Sequence, residues 1–144
     1  MLYIDTSVLL TYTLTQSIET ERFEITDKFF AKVISGEIAA ATSFYALHEL
    51  YIFAIENAPD LETGYAFGKA ALVKILSTPV HILPFVPRAE RKALTEKFAK
   101  LKDHSDVPHA IAAFTSGCDA IVAYDEHFRA ISHVIPYKAP KDYL

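Results

Sequence analysis

Four acidic side chains stand where their surroundings are otherwise apolar. Asp5 closes the run "MLYID". Glu49 lies inside "SFYALHELYIFAIEN". Asp106 opens "SDVPHAIAAF", and Asp125 closes "DAIVAYD". Each has a local explanation: an aspartate after a strand or before a helix can accept a hydrogen bond from free helical N–H groups, and a glutamate can reach solvent from the rim of a helix. Together they suggest more. Carboxylates gathered at one place repel one another and raise each other's pKa. A divalent cation reverses that cost, and hard oxygen ligands suit Mg²⁺ or Mn²⁺, which also accept substrate phosphates as ligands. The chemistry this implies is metal-assisted phosphodiester hydrolysis without a covalent nucleophile.

The elements that must position these acids follow from hydrophobic periodicity. Residues 2–5 predict a short buried strand, and residues 6–18 a short helix and a loop. Helical spacing runs from Glu19 to Ser35, where Phe23, Phe29, Phe30, Val33 and Ile34 share a face and Gly36 stops the helix. "EIAAAT" is a second strand. The helix of Glu49 follows, capped by Thr42 or Ser43. It is apolar on nearly every face, so it is expected to be largely buried, which makes a mid-helix carboxylate costly without a partner. Glu62 to Ser77 is a further helix, "PVHILPFV" a third strand, Pro87 to Lys102 a charged helix, and Ser105 to Ser116 another, closed by Gly117. "DAIVAYD" is a fourth strand, and "HVIPYKAPKDYL" a last short strand and tail. Alternating strands and helices predict a three-layer α/β/α sandwich with a central, mainly parallel sheet, formed by one domain over 1–144. In such folds sites gather outside the carboxyl ends of strands, where strand order switches. Asp5 and Asp125 both fall there.

Composition excludes several classes. The 144 residues are 51% hydrophobic with a net charge of −4, so the molecule is not a basic nucleic-acid coat. Four glycines leave no GxGxxG and no GxxxxGK[ST] phosphate cradle. Cys118 is the single cysteine, and no uncharged run approaches the ~18 residues of a membrane span, so the expected location is cytoplasmic. No HxxxH or CxxC spacing supports zinc. A haloacid-dehalogenase-type phosphatase would need a second aspartate at position 7, which is Ser7.

The segments "LYIDTS", "ALHELY", "SDVPHAIAA" and "GCDAIVAYDEHF", in that order, resemble the motifs of PIN-domain ribonucleases, in particular the VapC-type toxins; the tail "KAPKDYL" is similar too. The resemblance spans nearly the whole chain. It implies Mg²⁺- or Mn²⁺-dependent endonucleolytic cleavage of RNA, with Asp5, Glu49, Asp106 and Asp125 as the metal-binding and catalytic acids. Thr6 and Ser7 would hold those acids or the water between them. It also implies a homodimer and a small cognate antitoxin. Two positions depart from the family pattern. Ala123 stands where a hydroxyl is usual, and His127 where a further acid is usual. They imply one firm metal site and a weaker second, with an imidazole that favours Mn²⁺ over Mg²⁺, and they keep open the alternative of a catalytically weak PIN-like binding module. His109, three residues past Asp106, faces the same side of its helix and can serve the site or simply be a buried, satisfied side chain.

An acidic mouth repels RNA, so cations are needed nearby. Residues 88–102 hold Arg88, Arg91, Lys92, Lys97, Lys100 and Lys102 against Glu90 and Glu96, a local net of +4. This segment leads directly to Asp106. It is either the RNA track or a solvated amphipathic helix.

Overall fold

The computed structural model describes residues 1–144. Five short strands form one sheet: β1 (Leu2–Ile4), β2 (Ala40–Ser43), β3 (His81–Leu83), β4 (Ala120–Val122) and β5 (Tyr137–Lys138). All pairings are parallel, in the order β3-β2-β1-β4-β5. Six α-helices connect them: α1 (Thr6–Thr13), α2 (Thr20–Ile34), α3 (Phe44–Asn57), α4 (Leu61–Leu76), α5 (Arg88–Leu94) and α6 (Asp106–Thr115). Short 3-10 turns cover Thr95–Phe98, Glu126–Ile131 and Pro140–Tyr143.

The strands alternate their side chains between two cores, as period-two geometry requires. Leu2, Ile4, Ala120 and Val122 face a core built with Leu9, Phe29, Phe30, Leu50 and Ile75 of α1 to α4. Tyr3, Ala41 and Ile121 face the other, built with Phe98, Ile111, Phe128 and Ile131. Helices on both faces of a parallel sheet make the expected three layers. Gly36 and Gly117 adopt positive φ and end α2 and α6 as the sequence predicts. α3 and α4 approach closely through Gly64 and Gly68, where a Cβ would meet the Ile55 backbone and the Tyr51 ring.

Two expectations change. Pro87 to Lys102 is not one helix. α5 stops at Leu94, and the chain tightens so that Phe98 and Leu101 enter the second core. Tertiary burial overrides the local helical pattern there. α3 is only half buried. Ala46, Leu47, Leu50 and Ala54 face inward, while Phe44 and His48 are exposed. Glu49 therefore sits at the rim of a helix face, with its side chain 38% exposed.

The order of strands fixes where a site can form. β1 leads to β2 and β3 on one side, and the chain then returns to lay β4 against the other side of β1. The switch lies between β1 and β4, the position at which open α/β sheets hold ligands. The backbone N–H of Asp5 donates to Val122 O at 3.0 Å, so the two strand ends are locked side by side.

Candidate metal centre

Asp5 is the cap of α1, and its Oδ2 accepts from Ser7 N at 2.9 Å and Ser7 Oγ at 2.6 Å. The Ser7 hydroxyl in turn accepts from Tyr124 N, at the end of β4, at 3.0 Å. Ser7 thus ties the first acid to the strand that delivers the fourth. Only Oδ2 of Asp5 is used in this way, and the other oxygen takes no hydrogen bond. The local explanation and the site coexist in one carboxylate.

Asp106 is different. It is the first residue of α6, not its cap, and the turn before it is held by Asp103, which accepts from Ser105 N and Ser105 Oγ at 2.8 Å each. That leaves Asp106 free of capping duty. Its Oδ2 is buried and has no hydrogen-bond partner. Burial, then the charges of Asp5 and Asp125, push its carboxyl up to about 6. Asp125 caps the 3-10 turn through a bond from His127 N at 2.8 Å, which aims the His127 ring back at the acids. His127 Nδ1 lies 3.2 Å from Asp125 and 3.6 Å from Asp106 Oδ2. One donor atom from each of Asp106, Asp125 and His127 falls within 4.8 Å of the others. A buried oxygen without a partner, repelled by two neighbouring acids, fits a divalent cation and is costly without one.

Glu49 belongs to a second group. Its Oε2 accepts from the Thr6 hydroxyl at 2.7 Å, and its Oε1 lies 2.9 Å from His109 Nε2. His109 is 1% exposed. Its Nδ1 is 2.8 Å from the Tyr3 hydroxyl, which is 2.6 Å from Ser43 Oγ. With a neutral ring, Ser43 donates to Tyr3, Tyr3 to Nδ1, and Nε2–H to Glu49, so every member is satisfied. Burial alone would lower the His109 pKa, but the Glu49 hydrogen bond and the charges of Asp5, Glu49 and Asp106 outweigh it and raise it. Burial would raise Glu49, but the His109 bond and charge and the Thr6 bond outweigh it and lower it. His109 Nδ1 is also 3.9 Å from Asp5 Oδ1, so the ring stands between the first two acids.

The structure therefore brings together Asp106, Asp125 and His127, sets Asp5 beside them, and holds Glu49 through Thr6 and His109. His127, expected as an imidazole serving the site, stands within the group itself. Tyr3 escaped the sequence reading, and Ser43 entered it only as the cap of α3. The signal was available only in part: Tyr3 is the one hydroxyl in the buried run "LYI". Ala123 is fully buried in the second core and supplies no hydroxyl. The six cations divide. Arg88, Arg91 and Lys92 line one cavity, Lys100 and Lys102 another, and the Lys97 ammonium lies 4.8 Å above the Phe114 ring.

This is an α/β protein with a carboxylate mouth at its switch point, and its fold is that of PIN-type domains. No protein-family model matches the sequence, and neither does any curated protein. Solved structures do. VapC20 of Mycobacterium tuberculosis, described as a sarcin-ricin-loop-cleaving toxin, superposes with a TM-score of 0.69 at 16% identity, covering 94% of this chain and 98% of its own. VapBC2 of Rickettsia felis, solved on a promoter DNA fragment, gives 0.67 at 16% over 96% and 98%. VapBC-1 of nontypeable Haemophilus influenzae gives 0.63 at 17% over 97% and 98%. At these identities the likeness establishes the fold. No helix is long and apolar enough to cross a membrane.

Proposed function

We propose that this chain is a metal-dependent endoribonuclease that hydrolyses RNA phosphodiester bonds, acting as the toxin of a toxin–antitoxin pair. The observation that carries the proposal is Asp106 Oδ2, buried without a partner and flanked by Asp125 and His127. Asp106, Asp125 and His127 would hold a Mg²⁺ or Mn²⁺ ion, with Asp5 beside them. When bound, such a cation lowers the pKa of water and offsets charge developing on the phosphate oxygens. Ser7 fixes the rotamer of Asp5 through its short hydroxyl bond. Thr6 and His109 fix Glu49, so its half-exposed carboxylate is an oriented acceptor for a proton from attacking water. The His109 bond also keeps Glu49 ionised, which an acceptor needs.

The VapBC likenesses support an antitoxin partner; a homodimer follows from the motif resemblance alone. Phe53 of α3 lines an apolar groove of ≈ 350 Å³ with Leu14, Ile18 and Phe67. Tyr51 instead stacks on Tyr65 of α4, and Tyr45 binds Arg91.

The test is cleavage of a mixed RNA pool by purified protein with Mn²⁺, with Mg²⁺ and with chelator, beside Asp106→Asn and His127→Ala. The expected outcome is metal-dependent cleavage lost in Asp106→Asn. His127→Ala should weaken Mn²⁺ more than Mg²⁺, because an imidazole ligand favours Mn²⁺. Metal titration that finds no binding to the wild-type protein would leave the binding-module alternative in its place.

A further inference from the structure

The break in the basic segment has a geometric result. Arg88, Arg91 and Lys92, with Thr95 and His104, line a cavity of ≈ 390 Å³ against the first turn of α6. The Val107 and Pro108 wall of that cavity directly follows Asp106 in sequence. Lys100 and Lys102 line a second cavity of ≈ 250 Å³ with Glu126, Ala130 and His127, a member of the metal group. Lys97 lies in neither and stands over Phe114. None of the six cations forms an ion pair, although Glu90 and Glu96 share their segment. α5 buries no residue, so packing gives no account of its charges. Arg91 is held in place by donating to the Tyr45 hydroxyl of α3 at 3.0 Å.

We infer that these are two separate phosphate stations for one RNA strand, Arg88, Arg91, Lys92 and His104 forming one, against the helix that Asp106 begins, and Lys100 with Lys102 the other, which shares His127 with the carboxylate site, with Lys97 outside both. The inference rests on the nuclease proposal. Two cationic cavities, one sharing His127 with the candidate cation site and one against the helix that Asp106 begins, match a polyanion with repeated phosphates. Guanidinium forks suit phosphate oxygens bidentately, and lysines serve as point charges. Neither cavity is lined by Phe or Tyr, and the charged groups outnumber the single histidine ring in each, so phosphate contacts dominate over base stacking. The grip is therefore on the backbone. It positions the strand and carries no sequence information.

The experiment is fluorescence anisotropy of a labelled mixed-sequence single-stranded RNA on the full chain in chelator, across a salt series. Each phosphate contact on a single strand contributes about 0.7 to the slope of log affinity against log salt. Arg88→Ala with Arg91→Ala, and separately Lys100→Ala with Lys102→Ala, should each lower the slope by about 0.7 or more and weaken low-salt binding roughly tenfold. The combined variant should lower the slope additively. Lys97→Ala should leave the slope unchanged. Arg88→Lys with Arg91→Lys should restore most of the slope, which separates lost charge from lost fold. An unchanged slope in either double variant overturns the inference, as does a Lys97→Ala loss equal to the station losses, which would mean a diffuse field. Unchanged RNA binding with weakened binding of an acidic peptide would assign the cavities to a protein partner and overturn it too. Metal-dependent cleavage, scored separately, distinguishes the two proposals: cleavage with indifferent slopes removes only the stations, and the expected slopes without cleavage remove only the nuclease.

Discussion

At the scale of single residues, Asp106 carries a buried oxygen without a hydrogen-bond partner. Its folded carboxyl, at about 6, lies above the ordinary value of 3.8, first through burial and then through Asp5 and Asp125. A raised carboxyl means the folded state binds more protons than the unfolded state between those two values. Stability therefore falls as pH rises from about 4 to about 6, and the cost is fully present above that. Asp106→Asn removes it. The metal-free variant should be more stable than wild type at pH 7.5 by on the order of 2 kcal/mol, with the difference vanishing below about pH 4. Urea denaturation at both pH values measures this. Added Mn²⁺ should stabilise wild type and leave the variant unmoved, since mass action needs the ligand. A variant less stable than wild type at pH 7.5 would mean that Asp106 makes a structural bond rather than waiting for a cation.

At the scale of elements, the pairing of α3 with α4 sets the rim from which Glu49 reaches the site. Gly64 permits it. A Cβ there would lie 2.8 Å from the Ile55 Cα, a backbone atom that cannot swing aside. Overpacking of this kind costs about 1–3 kcal/mol, against up to about 1 kcal/mol gained in helix propensity. Gly64→Ala should therefore destabilise the fold by about 1–2 kcal/mol in chemical denaturation. A neutral or stabilising result would show that the two helices can part without cost. The same scale explains the misjudged charged helix. The pattern over 87–102 suits a helix, but α5 buries nothing, while Phe98 and Leu101 are almost wholly inside. Burial of those two side chains, roughly 1.5–3 kcal/mol each, outweighs a few residues of helix propensity.

At the scale of the whole molecule, α4 leaves Leu61, Tyr65, Phe67, Val73 and Leu76 exposed, and Ile18 is 82% exposed nearby in the groove with Phe67. So much exposed apolar surface along one helix of a small chain calls for a partner. The expected outcome is a dimer mass by light scattering at micromolar concentration. Leu61→Glu with Leu76→Glu should shift it to monomer without loss of helical content. A wild-type monomer across that range would assign the surface to a different protein.

The sequence by itself determined the kinds and order of the elements, because apolar periodicity and the stops at Gly36 and Gly117 are local properties. It also placed Asp5 and Asp125 at strand ends, because a strand of period two must stop where the apolar run stops. What it could not determine is which acids meet. Asp5 and Asp125 are 120 positions apart in the chain, and only the order β3-β2-β1-β4-β5 makes their strands neighbours. Glu49, grouped by type with the other acids, is drawn instead to His109 and Thr6. His127, a departure from the family pattern expected to bring an imidazole to the site, joins Asp106 and Asp125. Hydrogen bonds and ion pairs extend a few ångströms and are indifferent to chain distance. Tertiary packing alone could therefore sort four carboxylates into a pair that meets His127 and could hold a metal, one aspartate beside it and a glutamate held by histidine.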